Sequence, residues 1–396
     1  MFETKIAVLA KATAAEAGRG AGMEPPEEAL RRWARMGECG QAARAWLNRS
    51  VKPSMRRLLG ALHDVTPLPE LVLALRRRWR VPVLTILNYH RVHEREAVSS
   101  FDTGVLDATP EEFERQVAAL VRHFNLVGLA DVRQWLAGGR LPANPAMITF
   151  DDGYRDCHAH ALPILKRHGA RAVFFIATHY VERRKVFWWD RVCWLLKNAE
   201  KRVVALESPR PMLLNLGARG SARILLEAIK AAPGLDLEAC LNHISRQTGA
   251  GWSEAREEEL ARELVMTWDE VRDLYRAGMD IGSHTRTHRV LHTLSPEHLV
   301  EELRGSREDL EAALGAPIDA VSYPVGIPVA AAPAIRSAID AAGYQMGFTY
   351  NTGVQFMGAN LDRLDLRRLS VSPDLNQRAF LMLIALPSLA RVLMHK

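Results

Sequence analysis

The stretch ITFDDG at residues 148–153 decides the fold, because an apolar run there ends in two adjacent carboxylates and a glycine. In α/β folds, the active site lies at the carboxyl ends of the parallel strands. Asp151 and Asp152 are therefore candidate functional residues. Of two neighbouring carboxylates, one can bind a cation, which keeps it ionised, while the other acts as a base. Asp-Asp-Gly is also a common turn, so the interpretation depends on the rest of the chain.

Short apolar runs alternate with amphipathic helical patterns on both sides of this stretch. The alternation predicts parallel strands joined by crossover helices, and hence an α/β sheet or barrel. The predicted strands are 83–89, 146–150, 172–177, 280–282, 320–323 and 346–350. The predicted helices are 110–123, 160–168, 268–277, 296–314 and 331–342.

Three further regions surround or interrupt this pattern. Residues 1–80 predict a helical basic N-terminal region, with 15 Lys and Arg against 8 Asp and Glu in a chain of net charge +6. We expect residues 81–378 to form the barrel, with a helical, charged insertion at about 182–263. Residues 379–396 form an apolar C-terminal tail.

The cysteine pattern and the N-terminal residues indicate the cellular compartment in which the protein is expected. The four cysteines contain no C-x-x-C pair, so neither a disulfide framework nor a cysteine zinc cluster is predicted. Only five apolar residues lie between Lys5 and Lys11, too few for a signal peptide. We expect a cytoplasmic protein without nucleic-acid partners. The tail either packs against the protein or lies at the inner face of the membrane, where the basic N-terminal region would strengthen binding.

A second polar segment, IGSHTRTH at residues 281–288, also follows a predicted strand. Its histidines, His284 and His288, are four residues apart, and in a helical turn this spacing brings both imidazoles to one side. A surface histidine pair is the alternative. Together with one Asp, the two histidines would provide three ligands and leave open coordination positions for water and substrate.

Taken together, TFDDG at 149–153 and SHTRTH at 283–288 resemble the first two motifs of the polysaccharide deacetylases, the NodB-homology or carbohydrate esterase family four enzymes. The resemblance covers about residues 83–372. It implies a distorted (β/α) barrel of the NodB-homology type, with a helical N-terminal extension and a helical insertion. It also implies that Asp151 is the general base, and that the metal ligands are Asp152, His284 and His288.

Three more segments carry the resemblance. SYPVG at 322–326 is similar to the family's groove motif and implies that the Val325 N–H helps to hold the oxyanion, although the usual arginine and the aromatic residue after the proline are absent. LNYHRV at 87–92 resembles the Leu-x-Tyr-His segment of the branch with permuted motif order, which implies His90 as general acid. LRRLSV at 366–371 resembles the branch's closing Arg-x-x-Val segment, which implies that Arg368 holds Asp151.

The resemblance implies a metal-dependent carbohydrate N-deacetylase. Its substrate would be an amino sugar in a saccharide, a glycolipid or a lipid-linked precursor. One divalent ion is expected, with zinc favoured and cobalt, nickel or iron as alternatives. Two other functions stay open, namely deacetylation of a non-polymeric amide metabolite and carbohydrate binding by a catalytically weakened scaffold.

Two other clusters have simpler interpretations. His158 and His160, beside Cys157, resemble a soft-metal site but are expected to face solvent or pack locally. A second cluster is aromatic, and it either stacks on sugar rings or docks the insertion on the barrel. Its members are Trp188, Trp189 and Trp194.

Overall fold

The computed structural model describes residues 68–79, 81, 83–218, 220–356 and 361–387. The predicted N-terminal region lies outside these residues except for its last helix. The helices are α1 (Leu68–Arg78), α2 (Pro110–His123), α3 (Leu129–Leu136), α4 (Leu162–Arg167), α5 (Thr178–Arg183), α6 (Trp188–Lys197), α7 (Ser221–Lys230), α8 (Leu237–Thr248), α9 (Glu254–Leu264), α10 (Trp268–Arg276), α11 (Pro296–Val300), α12 (Ser306–Leu314), α13 (Pro333–Ala341) and α14 (Gln377–Ala385). The strands are β1 (Val83–Tyr89), β2 (Arg91–Val92), β3 (Leu106–Ala108), β4 (Asn125–Leu126), β5 (Pro145–Phe150), β6 (Val173–Ile176), β7 (Val203–Leu206), β8 (Met212–Asn215), β9 (Asp280–Ser283), β10 (Ala320–Ser322), β11 (Met346–Thr352), β12 (Gln355–Phe356) and β13 (Leu366–Ser370).

Seven of the described strands close into a parallel barrel. Their order around the barrel is β1, β5, β6, β9, β10, β11 and β13, and β13 pairs again with β1. Two further short strands extend this sheet beside the closed ring, β4 next to β5 and the antiparallel β12 next to β1, and β2–β3 and β7–β8 form separate pairs. The predicted (β/α) barrel is confirmed, and because all seven strands are parallel their carboxyl ends meet at one rim.

Alternation along the strands separates two buried clusters. Ile86 of β1 and Met147 of β5 belong to one cluster, whereas Leu87 and Ile148 belong to the other, which includes the surrounding helices. Successive side chains of a strand point to opposite faces, so the first cluster fills the barrel interior. Polar residues continue the interior rows toward the rim and are fully buried there. They are Asn88, Thr149 and Arg368.

The predicted elements agree with the structure wherever the apolar pattern is strong. Strand Val83–Tyr89 and helix Pro110–His123 have the predicted bounds. β13 was not predicted as a strand, because two arginines interrupt its apolar pattern. The insertion at about 182–263 contains helices and, between α6 and α7, the antiparallel hairpin of β7 and β8.

The described part of the apolar tail is packed. Phe380 and Ile384 of α14 are fully buried, and Arg76 of α1 donates a hydrogen bond of 2.6 Å to the carbonyl of Ile384. A cation at the carboxyl end of a helix is favoured by the helix dipole. Residues 388–396 lie outside the described residues, so membrane contact by the tail's end stays a prediction. No helix in the described part of the chain has the length and apolarity needed to cross a bilayer.

Candidate active site

Asp152, His284 and His288 form one buried cluster at the rim. Nε2 of His284 lies 3.3 Å from Asp152 Oδ1, and Nε2 of His288 lies 3.4 Å from the same oxygen. This oxygen is buried and has no hydrogen-bond partner among the described residues. A buried carboxylate oxygen that faces two imidazole nitrogens is a suitable donor set for a divalent cation. These three residues therefore fit a metal ion.

The two histidines meet in a loop, so the prediction of a helical turn between them is wrong. β9 ends at Ser283, and no helix covers residues 284–290. Thr285 and His288 have φ values of 63° and 54°, in the left-handed region that residues with a side chain seldom adopt. The left-handed backbone conformations of these two residues, rather than the spacing of a helix, bring the two imidazole rings together.

Glu302 holds this loop in its conformation. The backbone N–H groups of Arg286 and Thr287 donate to Glu302 Oε2 at 3.0 and 2.8 Å. Glu302 lies in a π-helical turn, Glu301–Gly305, between α11 and α12. Turns of this type are frequent at functional sites. Sequence reasoning missed Glu302, because the periodicity of residues 296–314 predicts an uninterrupted helix.

Neighbouring groups determine the orientation of the His284 ring and the pKa of His288. His284 Nδ1 donates to the carbonyl of Ser322 at 2.8 Å, which directs Nε2 toward Asp152. Burial, and then the neighbouring His284, lower the pKa of His288 to about 3. His288 is therefore neutral at physiological pH, as a metal ligand must be.

Asp151 is held by a buried arginine. Arg368, which is 1% exposed, donates to both carboxylate oxygens of Asp151 at 2.8 and 2.7 Å. Ser322 Oγ donates to Asp151 Oδ2 at 3.3 Å. Burial alone would raise the pKa of Asp151, but Arg368 and then His284 outweigh it and hold this pKa well below its usual range. Asp151 is therefore an ionised carboxylate beside the possible metal site.

His90 follows β1 at the same rim and is paired with Asp107. Its Nδ1 lies 3.1 Å from Asp107 Oδ2, and its backbone N–H donates to the same oxygen. Burial lowers the pKa of His90, but Asp107, with smaller contributions from Asp152 and Asp151, raises it to about 9. Sequence reasoning missed Asp107, since no motif marks the residue and the fold brings it to His90 from β3.

Val325 lies in the turn that follows β10. It has a φ of 59°, and the next residue, Gly326, has a φ of 65°. A Cβ on Gly326 would lie 2.0 Å from Cβ of Tyr350, so the turn can approach β11 only with glycine here. The ring of Tyr350 lies 6.0 Å from that of His90. This chain therefore has an aromatic ring beside the turn although none follows the proline.

The three candidate tryptophans pack against other side chains of the protein, and Trp189 packs against a residue of the metal cluster. Trp189 is buried, and its ring lies 4.4 Å from that of His288. Its Nε1 donates to the hydroxyl of Tyr154 at 2.7 Å, and that hydroxyl donates to Asp190 at 2.6 Å. Trp188 is also buried, and Trp194 packs against Trp252. These contacts correspond to the packing alternative rather than to an exposed wall for sugar rings.

The other candidate cluster contains no ligand set among the described residues. Nε2 of His158 lies 3.6 Å from Asp273 at the surface, and the ring of His160 packs 5.0 Å from that of His93. The thiol of Cys157 is buried and donates to the carbonyl of His90. These residues pack locally.

Two segments of the chain match the model of a known protein family. The family model for polysaccharide deacetylases matches residues 138–213 and 237–347. Over these segments the chain matches the polysaccharide deacetylase family. The matched segments include both strand-end motifs, and carbohydrate deacetylation is the activity that this match supports. His90 and Arg368 lie outside the matched segments. No curated protein matches this chain at a significant level.

Several solved structures resemble this chain. The deacetylase PplD of Streptococcus pyogenes, solved with acetate, is 19% identical with a TM-score of 0.49, over 74% of this chain and 95% of that one. IcaB of Ammonifex degensii is 17% identical with a TM-score of 0.47, over 79% of this chain and 98% of that one. The polysaccharide deacetylase BC0361 of Bacillus cereus is 16% identical with a TM-score of 0.47, over 76% of this chain and 69% of that one.

Proposed function

We propose that this protein is a metal-dependent hydrolase that removes the N-acetyl group from an amino sugar in a saccharide, a glycolipid or a lipid-linked precursor. One observation carries the proposal. Asp152 Oδ1 is buried without a hydrogen-bond partner and faces the Nε2 atoms of His284 and His288, while Asp151 lies beside them as an ionised carboxylate.

Asp152, His284 and His288 would hold the ion, with zinc favoured by this ligand set. When bound, it would act as a Lewis acid toward the acetamide carbonyl and lower the pKa of an attacking water. Asp152 and His284 are both 2% exposed, so the charge of the ion would be weakly screened by solvent.

Asp151 takes the proton from the attacking water. Arg368 fixes the carboxylate through two hydrogen bonds, so the base stays in one orientation and remains ionised. The Val325 N–H donates to the developing oxyanion, and loss of such a contact typically raises the barrier by about 3 kcal/mol. The resemblance of residues 322–326 to the family's groove motif supports the role of Val325, and the contacts with Arg368 support that of Asp151.

His90 donates a proton to the departing amine. The amine is a poor leaving group unless it is protonated. Asp107 orients the imidazole through Nδ1, which leaves Nε2 as the donor, and it keeps His90 protonated at neutral pH by raising its pKa. The resemblance of residues 87–92 to the branch with permuted motif order supports this role for His90.

We also propose a cytoplasmic location. In the described part of the chain, Cys157, Cys193 and Cys240 are buried free thiols, the state that reducing compartments maintain.

The test combines activity with metal content. Purified protein is assayed for amine release from N-acetylhexosamine oligomers, N-acetylated glycolipids and lipid-linked precursors, before and after chelation and zinc readdition. Asp152→Ala should lose both metal and activity, whereas Asp151→Asn should keep the metal and lose turnover. The exposed His292 provides a control, because His292→Ala should change neither. Full metal occupancy in Asp152→Ala, or turnover that survives chelation, would overturn the proposal.

A further inference from the structure

A cavity of about 460 Å³ lies between the loop that carries His288 and the segment 182–263. Tyr180, Thr287 and Arg289 line it from the barrel. Arg191 of α6 and Glu238 of α8 line it from the other side. The proposed chemistry uses none of these side chains.

The cavity shares a wall with the metal cluster. Thr287 and Arg289 flank His288 in the chain, and both line the cavity. The hydroxyl of Tyr180 donates to the carbonyl of Thr287 at 3.0 Å, and Trp188 Nε1 donates to the carbonyl of His288 at 3.4 Å. An occupant of the cavity would therefore lie against the loop that positions a metal ligand.

The charges that line the cavity are mixed. The cations Lys185, Arg191 and Arg289 line it together with the carboxylates of Asp236 and Glu238. An apolar ligand would bury these charges away from water. A neutral ligand rich in hydroxyl groups can accept from the cations and donate to the carboxylates.

Arg191 provides independent support for a polar ligand. Its side chain is 5% exposed. Its terminal nitrogens donate to Glu238 at 3.1 Å and to Asn242 at 2.8 Å. Its Nε is buried and has no hydrogen-bond partner in the described part of the chain. A buried charged donor without a partner is unfavourable, and because Arg191 lines the cavity a polar occupant is favoured over an apolar one.

The volume of the cavity suits a sugar ring. Tyr180 and Trp188 also line the cavity, and because both side chains are buried they form a fixed wall rather than a surface on which a sugar ring stacks. Small-molecule sites usually enclose about 300 to 1,000 Å³, so the volume is large enough for one sugar residue.

We infer that this cavity is a subsite for a neutral sugar residue of the substrate other than the one that is deacetylated. The inference rests on the proposed function and narrows its substrate class to saccharides of at least two residues. The segment 182–263 supplies half of the subsite, so it contributes to substrate selection.

The test measures dependence on chain length. kcat/KM for deacetylation is determined for N-acetylhexosamine and its dimer to tetramer, in the wild-type protein and in Glu238→Ala. Glu238 is exposed in the first turn of α8 but accepts from the buried Arg191, so thermal unfolding is measured alongside the kinetics to check that the variant folds. We expect the wild type to prefer oligomers. In Glu238→Ala this preference should fall about fivefold to tenfold, the size of one hydrogen bond, through KM rather than kcat.

The matched control is Glu254→Ala, because Glu254 is an exposed glutamate in the first turn of α9 and lies outside the cavity. Its length preference should equal that of the wild type. Equal rates on all lengths, or a Glu238→Ala preference like that of the control, would overturn the subsite while leaving deacetylation intact. Oligosaccharide binding measured calorimetrically with Asp151→Asn separates the two proposals. Binding weakened by Glu238→Ala, without wild-type amine release from any saccharide, would support the subsite and reject the proposed function.

Discussion

Arg368→Met should destabilise the protein strongly, because it leaves a buried carboxylate without its cation. Asp151 is 2% exposed and Arg368 1%, and two hydrogen bonds of 2.7 and 2.8 Å join them. Removing one partner of such a buried pair typically reduces the free energy of unfolding by about 3 to 5 kcal/mol. Methionine keeps most of the side-chain length, so the lost charge dominates the effect.

The assay is urea unfolding of metal-free protein, since bound metal would stabilise the folded state by linkage. Arg167→Met is the matched control. Arg167 makes a similar paired contact with Glu114 on the surface, where solvent screens the charges, so only a slight change is expected.

A double variant identifies the cause. Asp151→Asn removes the buried negative charge, so Arg368→Met combined with Asp151→Asn should be less destabilised than the sum of the two single variants. Additive losses, or an Arg368→Met loss no larger than that of Arg167→Met, would refute the assignment of a strong buried pair.

Three further predictions concern the surroundings of the site. Asp107→Asn should lower the pKa of His90 from about 9, so the alkaline limb of the kcat/KM profile, where His90 loses its proton, should move to lower pH; an unmoved limb would exclude His90 as the acid. Tyr154→Phe removes the hydroxyl between Trp189 and Asp190 and should reduce the free energy of unfolding by about 1 to 3 kcal/mol, a loss that chemical denaturation would detect. Gly326→Ala places a Cβ 2.0 Å from Tyr350 at a φ of 65°, and the backbone strain alone should destabilise the protein by about 1 to 3 kcal/mol; thermal unfolding at the wild-type temperature would contradict this.

Much of the rim could be predicted because the relevant signals are local. An apolar run followed by Asp151 and Asp152 indicates a strand end, and parallel strands bring such ends together. The same reasoning applies to His90 after β1 and His284 after β9. It fails for Asp107 and Glu302, whose contacts with the site depend on how a short strand and a π-helical turn pack.

The sequence by itself indicated parallel strands with crossover helices and the residue types at the strand ends, because apolar periodicity and side-chain chemistry are encoded over a few neighbouring residues. The barrel was implied by the family resemblance of the strand-end motifs. Only the tertiary structure decided that His284 and His288 meet through left-handed residues and that the apolar helix α14 is buried against Arg76. It alone brought together the walls of the cavity beside the site. These features depend on contacts between residues far apart in the chain, and local patterns do not specify such contacts.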